Sequence, residues 1–138
     1  MSSPWRLSRI DHIGVAVRSI AEARRLYTDL GLSVGEPERL PQDGVTAAFV
    51  AIGGVRIELL EPSGPEGPIA RYLARRGEGI HHIAFSVQDI AEAIAHARRA
   101  GFTLIDAAPR AGAHNTRIAF LHPKDTHGVL IELVETPT

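Results

Sequence analysis

Apolar residues at Ile13, Val15 and Val17 alternate with smaller or polar ones, the period of two that marks a strand with one buried face. The pattern then changes. Ser19-Ile20-Ala21-Glu22 fits a capping box, and Gly31 stands where a helix stops. Strand-like runs follow at residues 32–40, 46–51 and 55–60. The predicted order is strand, helix and three strands.

That order occurs twice. Ile10-Asp11-His12-Ile13-Gly14-Val15-Ala16-Val17 is echoed by Ile80-His81-His82-Ile83-Ala84-Phe85-Ser86-Val87, an offset of 70 residues that Gly31 and Gly101 keep. Ile57-Glu58-Leu59-Leu60-Glu61 is echoed by Ile131-Glu132-Leu133-Val134-Glu135 at an offset of 74, so one loop of the second copy is four residues longer. In that copy Asp89 takes the capping position, Glu92 follows three residues on, and strands are predicted at 103–107, 117–121 and 128–134. The turn-rich Pro62-Ser63-Gly64-Pro65-Glu66-Gly67-Pro68 and a short helix over 69–76 join the copies. The expected organisation is a single α+β domain over residues 1–138, built from tandem βαβββ modules at about 9–62 and 79–136 with a linker at about 63–78.

Composition narrows the chemistry. With 138 residues, 44% of them hydrophobic, the chain has material for one real core. A formal net charge of −1 without like-charge blocks argues against a nucleic-acid partner. Arg71, Arg75 and Arg76 read as a solvated helix face. No apolar run approaches the roughly 20 residues that span a bilayer, and the N-terminus lacks a secretion signal, so a cytoplasmic protein without a membrane partner is expected. There are no cysteines. Any metal must be held by nitrogen and oxygen.

Strand parity selects the ligands. If Ile13, Val15 and Val17 face the helix, His12 points to the other side of the sheet, because successive side chains alternate. The same argument places His82, Glu58 and Glu132 on that other side, in matching strands of the two copies. Two imidazoles and two carboxylates suit a five- or six-coordinate divalent ion with open positions. His81 has core-face parity, His96 falls in the second helix, and His114, His122 and His127 fall in or near loops. His114 lies in a glycine-containing loop able to present backbone N–H groups to an anion.

These motifs, together with Pro109-Arg110-Ala111-Gly112-Ala113-His114 and Phe120-Leu121-His122-Pro123-Lys124, carry a resemblance from Ile10 to Glu135. The chain resembles the methylmalonyl-CoA epimerases, within the vicinal oxygen chelate superfamily that also contains glyoxalase I and the extradiol dioxygenases. The resemblance implies a curved mixed sheet closing around one metal, with His12, His82 and Glu132 as ligands and Glu58 also at the metal. It implies an isomerase that interconverts (2R)- and (2S)-methylmalonyl-CoA by removing the C2 proton to give a metal-stabilised enolate. The ion expected is cobalt, with manganese, nickel and zinc as competitors, and the enzyme is expected to be a homodimer. Some bacterial members carry a catalytic glutamate at the position of Ala47, so the acid–base pair expected here is Glu58 and Glu132. His114 and Lys124 are expected to meet substrate oxygens or phosphates. The competing readings are a glyoxalase I-type isomerase (lactoylglutathione lyase) and a metal-free small-molecule-binding or resistance protein of the same fold. An extradiol dioxygenase fits less well, since a second carboxylate would occupy a position that oxygen or substrate needs.

Overall fold

In the computed structural model, which describes residues 3–137, the alternating runs become strands and the capped runs helices. The order is β1 (Arg9–Ala16), α1 (Ile20–Asp29), β2 (Glu38–Leu40), β3 (Val45–Ile52), β4 (Val55–Pro62), α2 (Pro68–Arg76), β5 (Gly79–Ser86), α3 (Ile90–Arg99), β6 (Arg110–Ala111), β7 (Arg117–Leu121) and β8 (Ile131–Glu135). This is the expected pair of βαβββ modules. The strands form a mixed eight-stranded sheet in the order β2-β3-β4-β1-β5-β8-β7-β6. Pairing repeats between the copies: β1 runs parallel to β4 as β5 does to β8, while β2–β3, β3–β4, β6–β7 and β7–β8 are antiparallel. Among the described residues no helix is long and apolar enough to cross a membrane.

The backbone gathers into two compact units, one of residues 12–81 and one of residues 3–11 with 82–137. In the first, α1 lies on the face made by Val17, Ala48, Val50 and Leu59, with Ile20 buried against them. The opposite face carries Ala16, Val45, Ala47 and Leu60 beneath Ile69 and Leu73 of α2. In the second unit, Ile90, Ala93, Ile94 and Ala97 of α3 cover Val87, Ala119, Leu121 and Leu133. The other face of that sheet carries Ala84, Ile118 and Val134, with Phe120 packed against them. Each helix buries one apolar stripe on one sheet face, as an amphipathic element must.

The outer strands depart from the predicted ranges. Only Glu38–Leu40 pairs within the expected run 32–40, where Pro37 has no N–H for a ladder, although Val34 bridges Val50. In the second copy the strand expected over 103–107 reduces to one bridge from Leu104 to Leu121, and pairing resumes at Arg110–Ala111. There the Asp106 carboxylate accepts from the Phe120 N–H at 2.8 Å and the Arg110 Nε at 3.0 Å, so a side chain takes the place of ladder bonds. The last strand starts at Ile131 rather than 128, because His127 and Gly128 adopt left-handed backbone angles of 56° and 84°.

The helix starts reveal a second departure. The Ser19 hydroxyl accepts from the Glu22 N–H at 3.2 Å and the Asp89 carboxylate from the Glu92 N–H at 3.1 Å, as the capping pattern predicts. The first-turn donors are also served from the sheet: the Ile20 N–H donates to Glu61 Oε1 at 2.7 Å, and the Ile90 N–H to Glu135 Oε1 at 2.8 Å. Glu61 and Glu135, residues at the 74-residue offset, pin each helix N-terminus to the last strand of its module, where a carboxylate also meets the positive end of the helix dipole. Glu61→Ala should therefore lower the unfolding free energy by about 1–2 kcal/mol. Glu22→Ala should cost less than about 0.5 kcal/mol. The measurement is the urea midpoint at unchanged slope.

Candidate metal centre

Two strands of each unit bring one histidine and one glutamate together. In residues 12–81, β1 and β4 lie side by side with Gly14 opposite Glu58 and His12 opposite Arg56. His12 Nε2 lies 3.3 Å from Glu58 Oε1, and each residue is 6% exposed. The antiparallel neighbour β3 places Phe49 opposite Glu58, and its ring meets the His12 imidazole edge to face at 6.4 Å and 88°. The other unit repeats the design. His82 Nε2 lies 3.0 Å from Glu132 Oε1, both residues are buried, and Phe120, opposite Glu132 on β7, meets His82 at 5.6 Å and 87°.

Desolvation explains why these residues come as pairs. A carboxylate taken from water without a partner is costly, and a nearby imidazole supplies either a hydrogen bond or a positive charge. The rings of Phe49 and Phe120 stand beside the pairs, and aromatic neighbours lower the local dielectric. Strand parity could have placed both phenylalanines on this face, but sequence alone did not single them out, because an aromatic in a strand is ordinarily core.

His12, His82 and Glu132 each offer one ligand atom, and those atoms lie within 4.8 Å of one another. Neutral imidazole and carboxylate oxygen are the donors that cobalt, manganese, nickel, zinc and ferrous ions accept. The residues present therefore fit a divalent ion. Glu58, beside His12, offers a further carboxylate.

The remaining candidates lie elsewhere. His81 is half-buried and meets the Tyr72 ring edge-on at 5.3 Å. His96 stacks on Trp5 with ring centroids 3.6 Å apart. His114 sits on an exposed turn with φ 56°, next to Gly112, where a Cβ would stand 2.6 Å from Thr116 Oγ1. Glycine is required there. Lys124 is exposed in the turn Pro123–Asp125, and its N–H donates to His122 Nδ1 at 3.0 Å. His127 is exposed beside Gly128. Ala47 is 1% exposed and packs with Leu60 in the apolar cluster beneath α2, so this position supplies no acid or base.

Comparison with known proteins adds a family match and whole-length relatives. Residues 11–120 match the model of the Glyoxalase/Bleomycin resistance protein/Dioxygenase superfamily. The mitochondrial methylmalonyl-CoA epimerase of Bos taurus is 39% identical over 131 residues, covering 94% of this chain and 75% of that protein. An ethylmalonyl-CoA/methylmalonyl-CoA epimerase of Cereibacter sphaeroides is 39% identical over 92% of this chain and 97% of its own length. A solved methylmalonyl-CoA epimerase in complex with methylmalonyl-CoA and NH4+ superposes with a TM-score of 0.91 at 38% identity, covering 96% of this chain and 97% of that one.

The ligand geometry predicts a metal-dependent stability. Cobalt at 100 times its dissociation constant should raise the unfolding free energy by about 2.7 kcal/mol. Thermal unfolding of the chelator-treated protein, with and without added cobalt, measures the gain. His82→Ala should abolish it, whereas His96→Ala, which alters the ring stacked on Trp5, should keep it.

Proposed function

The chain belongs to the methylmalonyl-CoA epimerases of the Glyoxalase/Bleomycin resistance protein/Dioxygenase superfamily, and from that premise we infer that it interconverts (2R)- and (2S)-methylmalonyl-CoA by proton transfer at C2. The observation that carries the reading is the pair of buried His–Glu couples, alike in geometry and drawn from matching strands of two repeated modules. C2 of this substrate lies between a thioester and a carboxylate, which makes its hydrogen weakly acidic. His12, His82, Glu132 and Glu58 would hold a divalent ion, which when bound supplies a Lewis acid for the oxygens flanking C2.

Inversion requires a proton to leave one face of C2 and another to arrive at the opposite face. Two acid–base groups are therefore needed. Glu58 and Glu132, contributed by different modules, take these roles, with Glu132 serving also as a ligand. Both carboxylates are buried. Ala47 offers no competing carboxylate. The exposed His114 and Lys124 are assigned to contacts with acyl-CoA oxygens and phosphates. The same reading takes cobalt as the ion, with manganese, nickel and zinc as competitors, and a homodimeric, cytoplasmic enzyme.

The test is exchange of the C2 proton of enantiopure methylmalonyl-CoA in heavy water, followed by NMR with and without cobalt. Metal-dependent exchange with inversion is the expected outcome. Glu58→Gln should keep its metal and lose about 100-fold or more in turnover. Full activity in that variant would remove Glu58 from proton transfer. No exchange in the metal-loaded protein would overturn the epimerase reading and favour glyoxalase chemistry, tested with a glutathione hemithioacetal.

A further inference from the structure

Each imidazole of the centre meets a phenylalanine, and each phenylalanine carries a guanidinium. In residues 12–81 the Arg56 guanidinium carbon lies 4.8 Å from the centre of the Phe49 ring, and that ring meets His12 at 88°. In the other unit the Arg110 guanidinium carbon lies 5.5 Å from the centre of Phe120, which meets His82 at 87°. The two arginines are not copies of one another. Arg56 belongs to β4, where the 74-residue offset leads to Leu130 in the second module. Arg110 belongs to β6 and pairs with Ile118, two residues before Phe120, whereas Ala47, two residues before Phe49, pairs with Glu38 of β2. A contact inherited with the duplicated strands would come from the same strand in both copies. This one is rebuilt from a different strand over the equivalent ring.

The Phe120 ring is held from several sides. The Asp106 carboxylate accepts from the Phe120 N–H at 2.8 Å and from Arg110 Nε at 3.0 Å, so one side chain ties both the strand that carries the ring and the cation over it. Ala84, Ile118 and Val134 form the apolar cluster on which the ring packs. An imidazole set edge to face against a fixed ring loses freedom to turn, and in this orientation His82 Nε2 lies 3.0 Å from Glu132 Oε1. A ligating histidine whose ring is already fixed by a second group gives up less rotamer freedom when it binds. We propose that Phe120 is a positioning residue for the metal centre, held by Asp106 and Arg110 so that the His82 imidazole is set toward Glu132 before an ion arrives. This rests on the reading of His82 and Glu132 as ligands of a divalent ion.

The experiment measures cobalt binding by competition with a chromophoric chelator and records the visible absorption of the bound ion. Phe120→Leu, which keeps an apolar side chain and loses the ring, should weaken cobalt by about 10- to 100-fold and alter that absorption. Phe120→Tyr, which keeps the ring, should restore both. Arg110→Met should weaken cobalt by about 2- to 5-fold and Arg110→Lys should bind as the wild type does; this pair carries the comparison if the leucine variant does not fold. A lower unfolding midpoint of metal-free Phe120→Leu, with cobalt affinity and absorption unchanged, would overturn the proposal, since the ring would then serve packing alone. Where only the arginine pair folds, wild-type affinity in Arg110→Met would overturn it as well. A wild type that binds no cobalt would sink the ligand reading itself, whereas cobalt binding kept at full affinity in the variants would sink only the role of Phe120.

Discussion

The cost of burying a carboxylate organises this protein. Glu58 and Glu132 are removed from water on the strands that also form the core, and each is met by the imidazole of a strand distant in sequence, at 3.3 and 3.0 Å. A carboxylate so placed needs a hydrogen-bond donor or a cation, and a metal ion with two imidazoles supplies the strongest available compensation. That requirement makes β4 the parallel neighbour of β1, and β8 that of β5.

The helices keep this face available. α1 and α3 pack on the opposite side of their sheets through Ile20 and Ile90, the first residues of each helix. Glu61 and Glu135 accept the N–H groups of those same isoleucines, so the strand that carries a glutamate of the centre also sets where its helix begins. In residues 12–81 the far end of the inner face is closed by α2, with Ile69 and Leu73 over Ala16 and Leu60. The short apolar contact leaves Glu58, two residues before Leu60, beyond the apolar cluster.

Duplication gives the two modules matching His–Glu pairs in unlike surroundings. Both modules bring a histidine, a glutamate and an edge-on phenylalanine to matching places. The modules are not identical: Arg56 in one corresponds to Leu130 in the other, and the guanidinium over Phe120 belongs to Arg110, which is bound to Asp106.

By itself, the sequence determined the duplicated βαβββ order, the helix caps at Ser19 and Asp89, and the common face of His12, Glu58, His82 and Glu132. Each of these follows from local rules, since side-chain parity along a strand and the cap of a helix depend on residues only a few positions apart. Family likeness then supplied the reaction. Tertiary structure alone decided that Phe49 and Phe120 stand against the imidazoles, that Glu61 and Glu135 hold the helix starts, and that Arg56 lies opposite His12. It also decided that Asp106 displaces an edge strand by bonding to Phe120 and Arg110. The physical reason is register: two strands far apart in the chain can slide past one another without changing either local pattern, and only the packing and hydrogen bonding of the folded sheet select which residues face each other.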